Sequence, residues 1–373
     1  MLSVFKRLGR INHSGYFNTR PNFEKHDFPF QIEPESWSFA DNIEDAQIVP
    51  FIMNDYTNAS TATFKCRDDQ LAVNMLLYEI DYTYDEAFFL RILDACKQFA
   101  KHNILVHKNL SLKDHPDKRL VYYDSLWDHV KLYYTDFDKI DKPKTKLWSM
   151  DCTSDTYTLP KIDKAMTKKY LSMSMIYDLR HPRNRYRLAL RDFLSKNFKD
   201  QGYIGSEDER LPPNNPNDDM MNRLYDKNLG GAWYPVADKY YNETYITIYV
   251  ETLTQKYGNV RCVTEKTFDN LAKGNFILPF GYPGLIQDIT RYYGFQLPNW
   301  IDYHYDNIED NDQRFEAYLH SVEKLCSKGL AELHGLYFNE KQILLKNRQI
   351  FYDKPYDSLY KKLKDRYHLF VNS

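Results

Sequence analysis

Val263-Thr264-Glu265-Lys266-Thr267-Phe268-Asp269, continued beyond Gly274 by Phe276-Ile277-Leu278-Pro279-Phe280-Gly281, is the stretch on which the fold turns. Glu265 and Lys266 stand side by side where a loop enters a helix. That helix leads through Gly274 into a short apolar strand ending in a Gly/Pro turn. In an open α/β sheet this is a place where a phosphate and a ribose can be held together. Helix-start N–H groups and a lysine favour the phosphate, and a carboxylate accepts the ribose hydroxyls. A solvated Glu-Lys pair is the bland reading of the same residues, and the surroundings have to decide between the two.

Working outward, residues 245–250 read as a β-branched and aromatic strand, 170–177 as another, and 187–198 as a helix. Residues 286–293 suit a helix closed by Gly294. The stretch 205–219, GSEDERLPPNNPNDD, is an excursion loop, and the charged, proline-interrupted stretch 136–165 is a connection between lobes. Before it, 46–53, 104–107 and 120–123 read as strands and 85–102 as a helix. The apolar stretch 71–80 reads as a strand or a helix end, and 124–134 as a helix or turn. Strands alternating with helices predict an α/β chain. The expected division is 1–165, 166–345 and a helical tail, 346–373, crossing back to the first lobe. No G-x-G-x-x-G fingerprint occurs, which leaves a dinucleotide dehydrogenase without support.

Two segments carry a family resemblance. Val250-Glu251-Thr252, a spacer and the Val263–Lys266 block resemble the donor-binding block of α1,3-fucosyltransferases, where an F-E-N-type segment precedes Y-V-T-E-K, a short helix and an apolar strand. Arg180-His181-Pro182-Arg183-Asn184-Arg185-Tyr186-Arg187 resembles the arginine-rich strand-to-helix turn with which such proteins hold the donor diphosphate. The resemblance spans roughly residues 170–325. It implies two Rossmann-like lobes of the GT-B type, with the nucleotide-sugar site in the cleft, mainly on the C-terminal lobe. It also implies an inverting, metal-independent transfer from a nucleoside-diphosphate sugar to a hydroxyl, with no cofactor beyond that co-substrate.

By position in the motif, Lys266 faces the β-phosphate, where charge builds as the sugar leaves and fixed cations and helix N-termini stabilise it. Arg183 and Arg187 come next, since a guanidinium grips phosphate oxygens as a fork. Glu265 accepts the ribose hydroxyls, and Glu251 and Thr264 complete the donor-binding set. Cys262 stands where the family has a tyrosine, and Thr252 where it has the asparagine of F-E-N. Nucleobase and sugar are therefore left unassigned.

Composition narrows the classes. Fifty basic against 52 acidic residues give a formal charge of −2, against a broad nucleic-acid footprint. No apolar run reaches membrane-spanning length, and the basic stretch 1–10 lacks the apolar core of a signal peptide. Five scattered cysteines without metal spacing point to a reduced, cytoplasmic protein. The 32 tyrosines and 22 phenylalanines fit sugar or base stacking as well as core packing, and so decide nothing.

An inverting transfer needs a base for the acceptor hydroxyl. Asp81 and Asp124 each follow an apolar run in the first lobe, at the functional edge of an open sheet, and are the two candidates. His129 and His304 stand alone and are not metal ligands on spacing. The leading function is a soluble glycosyltransferase with a glycan acceptor. One alternative is a phage-type enzyme that glycosylates 5-hydroxymethylcytosine in DNA, a composition rich in Lys, Asn and Tyr suiting an AT-rich phage or bacterial genome. Another is a glycan- or nucleotide-binding protein that has lost the chemistry.

Overall fold

The computed structural model describes residues 2–5, 34–52, 66–75, 86–97, 99–125, 127–128, 131, 168, 170–175, 185–204, 238–251, 253–254 and 260–371. Among them, ten strands form two sheets, and every pairing is parallel. The α/β reading of the sequence holds.

The first sheet comprises β1 (Leu2–Phe5), β2 (Trp37–Ala40), β3 (Ile48–Ile52), β4 (Leu71–Met75), β5 (His102–His107) and β6 (Leu120–Tyr122), in the order β2-β1-β3-β4-β5-β6. Alternation sends its side chains to two layers. Leu71, Val73, Ile104, Val106 and Val121 meet one helix layer, while Leu105 and Leu120 meet α1 (Glu86–Cys96) through Phe89, Ile92 and Leu93. The apolar stretch 71–80 thus begins as a strand. α1 ends at Cys96, short of the sequence expectation, because the Phe99 and Ala100 amides both bond back to the Cys96 carbonyl and turn the chain into β5.

The second sheet contains β7 (Tyr170–Met175), β8 (Gly202–Ile204), β9 (Thr244–Val250) and β10 (Phe276–Phe280), in the order β10-β9-β7-β8. Between these strands lie α2 (Arg185–Asn197), α3 (Asp238–Glu243) and α4 (Glu265–Lys273). Pro279 is tolerated because β10 is an edge strand. Residues 286–293 are not a regular helix. A single turn, α5 (Leu285–Gln287), widens into a π turn over Asp288–Tyr292, and Gly294 at φ 79° closes it. The Thr290 hydroxyl donates to the Ile286 carbonyl at 2.8 Å and competes with the helical ladder there.

Four helices complete the chain: α6 (Asn311–Cys326), α7 (Leu330–Asn339), α8 (Lys341–Asp353) and α9 (Leu359–Phe370). α6 and α7 cover the second sheet through Phe315, Tyr318, Val322 and Leu333. α9 instead lies on the first sheet, burying Leu359, Leu363 and Tyr367 against Val4, Val73 and Val106. Three such side chains, at roughly 1.5–3 kcal/mol each, suffice to hold a twelve-residue helix in place.

The sheets also share one apolar cluster. Trp127, just beyond β6, packs its ring 5.0 Å from Phe268 of α4, 5.4 Å from Tyr293, 5.5 Å from Phe295 and 5.0 Å from Phe351 of α8.

Candidate functional site

The site begins with a division of labour along β9. Ile246, Ile248 and Val250 point into one apolar core, whereas Thr247, Tyr249 and Glu251 alternate onto the opposite side, which α4 covers. All three polar residues are buried there and are matched rung by rung. The Thr247 hydroxyl donates to Asn270 Oδ1, the Tyr249 hydroxyl meets Thr267 Oγ1 at 2.6 Å, and Glu251 takes both Thr264 and Thr267. Asn275 adds bonds of 3.4 Å to Thr244 and Thr247. A satisfied polar ladder of this kind fixes one register, because slipping by a residue strands buried donors at about 1–3 kcal/mol each. Phe268, Leu271 and Ala272 supply the apolar remainder of the same interface.

The ends of the elements are fixed as firmly. Gly274 takes a left-handed conformation, φ 78°, at the C-cap of α4, as a residue without Cβ does at little cost. At Gly281, beyond β10, a Cβ would lie 2.5 Å from Leu285 Cδ2, so any larger residue there would have to displace that leucine side chain. Arg314, fully buried, donates to the carbonyls of Gly281, Ile308, Glu309 and Thr254 and to Asn311 Oδ1, at 2.6–3.1 Å. One guanidinium therefore pins the loops that follow β9 and β10.

Topology now singles out one place on the sheet. β7 and β9 are neighbours, but the chain leaves them in opposite directions: from β7 through α2 to β8, and from β9 through α4 to β10. α2 packs on one side, with Tyr186, Leu190 and Leu194 against Ile248 and Phe280, and α4 on the other. The first turns of both helices thus follow the C-terminal ends of adjacent strands, the switch point of the topology, where open parallel sheets hold ligands. Lys266 is in the first turn of α4 and Arg187 in that of α2, and both are buried.

The remaining sequence-predicted residues fall as follows. Thr264 is the N-cap of α4 and Glu251 directly follows β9, so both lie at this edge of the sheet. Glu265 opens α4, and its side chain lies outside the described ones. Arg183 and Asp81 lie outside the described residues altogether.

Asp124 lies elsewhere, beyond β6, in a buried junction with the C-terminal segment. Its carboxylate meets Lys354 Nζ at 3.2 Å and the Tyr293 hydroxyl at 3.3 Å, and its amide donates to Asp357 Oδ2. Burial raises its carboxyl above the ordinary range, with Lys354 pulling the other way. Asp128 accepts the Asp357 amide, Lys131 donates to the Tyr352 and Lys354 carbonyls, and Lys362 to the Tyr122 carbonyl. Lys354 also stands 3.9 Å from the centre of the Trp127 ring. These contacts tie α8, which packs on α4, to the first sheet.

Sequence reasoning passed over two features. Arg261 forks onto buried Asp288, which also accepts the Tyr282 hydroxyl, while its backbone bonds Asn109 and Leu110 of the first sheet's connection. Only the carboxylate 27 residues downstream could have signalled it. His107, at the end of β5, stacks on Phe89 with neither ring nitrogen hydrogen-bonded among the described residues, and burial lowers its pKa to about 3. A lone histidine in an apolar run gives no such signal.

Among the described residues no group of three or more His, Cys, Asp or Glu could hold a metal ion, and no helix is long and apolar enough to cross a membrane. Cys66, Cys96, Cys262 and Cys326 are buried and form no disulfide among the described residues. Burial pushes the Cys66 and Cys326 thiols up to about 12 and the Cys96 thiol to about 11, so none of these three is an activated nucleophile.

No family model and no curated protein sequence matches the chain. Solved structures do, two of them as follows. One is an α1,3-fucosyltransferase with GDP-fucose, at TM-score 0.46 and 10% identity, with 100% of this chain and 90% of that chain covered. The other is an α1,3-fucosyltransferase at TM-score 0.46, 11% identity and the same coverage.

Proposed function

We propose that the chain is a glycosyltransferase that takes a sugar from a nucleoside diphosphate and passes it to a hydroxyl acceptor, with inversion and without a metal. The observation that carries this reading is the switch point between β7 and β9, flanked by a buried lysine and a buried arginine in the first turns of the two divergent helices. Oriented N–H groups and fixed cations stabilise the charge that develops on a departing β-phosphate. Lys266 faces that phosphate, Arg187 and Arg183 grip the diphosphate, and Glu265 accepts the ribose hydroxyls. The two sheets form the lobes of a GT-B architecture, with the acceptor, a glycan, on the side of the first sheet. Asp124 is engaged by Lys354 and Tyr293, which leaves Asp81, after β4, as the base for the acceptor hydroxyl. Buried cysteines that form no disulfide among the described residues suit a reducing cytoplasm.

The test is thermal stabilisation by GDP, UDP, CDP and dTDP, with and without Mg²⁺. Wild type should be stabilised by one of them independently of the metal, since a ligand that binds only the folded state raises its stability by mass action. Lys266→Ala should lose that shift and all sugar transfer while keeping the melting temperature of the free protein. Normal transfer by this variant refutes the site, and no shift with any nucleotide refutes the function.

A further inference from the structure

Glu251 matches a glutamate of the donor-binding block, yet its carboxylate faces inward and has other work. Oε1 accepts the Thr267 hydroxyl at 2.8 Å and the Thr264 amide at 3.4 Å, and Oε2 accepts the Thr264 hydroxyl. The Glu251 amide is itself fixed by the Phe280 carbonyl at 2.7 Å, and the residue is 1% exposed.

Thr264 is the N-cap of α4. A threonine there ordinarily turns its hydroxyl oxygen onto the amide two or three residues ahead. This one makes no cap bond and donates its proton to Glu251 instead. The Thr267 amide relies on the Thr264 carbonyl, at 3.1 Å. The start of α4 is therefore gripped from behind, by a carboxylate on the sheet, and the Thr264 side chain does not close the first turn.

We propose that Glu251 is a positioning residue of the donor site: it turns Thr264 and Thr267 toward the sheet, fixes the turn that carries Lys266, and touches no ribose hydroxyl. The ribose is left to Glu265. The proposal rests on the reading of α4 as the diphosphate site, and the two can fail separately. Without Glu251, the Thr264 hydroxyl is free to rotate onto its own helix as a conventional cap, competing with an incoming phosphate for the same amides.

The experiment has a ligand-free arm and a ligand arm. Amide hydrogen exchange of residues 264–268 should be faster in Glu251→Ala and in Thr264→Val than in wild type, and unchanged in Thr264→Ser, which keeps the hydroxyl. The threonine pair decides the matter if Glu251→Ala does not fold. In the ligand arm, inorganic pyrophosphate should bind Glu251→Ala about tenfold more weakly, the loss expected when one charge-assisted contact is misplaced. The preference for the stabilising nucleoside diphosphate over its 2′-deoxy analogue should stay as in wild type. Wild-type exchange rates at 264–268 in both Glu251→Ala and Thr264→Val overturn the proposal. So does a collapse of the ribose preference with pyrophosphate binding intact. If wild type binds no pyrophosphate or nucleotide, the donor reading fails while the exchange arm still decides the role of Glu251.

Discussion

Asp269 offers a quantitative test of how α4 is seated. Its side chain is 1% exposed, Oδ2 accepts the Tyr241 hydroxyl, and Oδ1 has no hydrogen-bond partner among the described residues. Burial raises its pKa from 3.8 to about 7, against a weaker opposing pull from Lys273. The folded state thus keeps a proton that the unfolded chain has already lost between roughly pH 4 and 7. Stability falls as the pH rises through that window, because the folded state binds the extra proton there. Three pKa units at about 1.4 kcal/mol each set the full penalty near 4 kcal/mol above pH 7, and leave well under 1 kcal/mol of it at pH 4. Asn keeps the shape and cannot ionise, though its amide needs partners of its own, at about 1–3 kcal/mol if unmet. That second cost is independent of pH and cancels when one variant is compared at two pH values. Urea denaturation should therefore show Asp269→Asn gaining about 3–4 kcal/mol relative to wild type between pH 4 and pH 8, whatever the offset at either end. Equal differences at the two pH values would show that the carboxylate ionises without penalty, and the tight seating of α4 on β9 would be wrong.

Two further outcomes follow from the same packing. Arg314→Leu leaves four carbonyls and Asn311 Oδ1 without their donor, and should cost about 3–5 kcal/mol by urea denaturation, with Arg314→Lys recovering only part; a cost below about 1 kcal/mol would refute its role as the pin of the loops after β9 and β10. Gly274→Ala should cost more than the ordinary left-handed penalty of about 1–2 kcal/mol, because the new Cβ would meet Arg348 Nε at 2.8 Å; a cost within about 0.5 kcal/mol of zero in the same assay would count against the αL cap.

The parts of the fold legible in the sequence are those whose pattern is local. β9, α4 and β10 follow one another with apolar residues at the right period and a glycine at the C-cap, so their order and parallel crossover could be read directly. β1 and β2 could not: four residues each, they carry too short a pattern to stand out from the polar sequence around them. α6 and α7 carry no glycine-and-proline punctuation comparable to that around β10, and the sequence reading left them unassigned. The motif drew attention to Lys266 and Thr264, but it could not show how they are held. Arg314 is invisible to any local reading, since four of its five partners are main-chain carbonyls in loops up to 60 residues away.

Thr247, Tyr249 and Glu251 show why the remainder was hidden. In a strand, threonine and tyrosine read as good β-formers, and a glutamate at the end reads as the point where the chain meets solvent. All three are buried, because each meets a hydroxyl or amide supplied by α4 between 13 and 23 residues later. Burying such groups against an apolar helix would cost several kcal/mol, so strand and helix specify each other and neither is interpretable alone. An apolar interface would have been easier to read and easier to slide. A polar ladder has one register, and that register sets the height of Thr264 and Lys266 above the edge of the sheet. The feature that made this interface hard to see in the sequence is thus the one that holds the turn of Thr264 and Lys266 in a defined place.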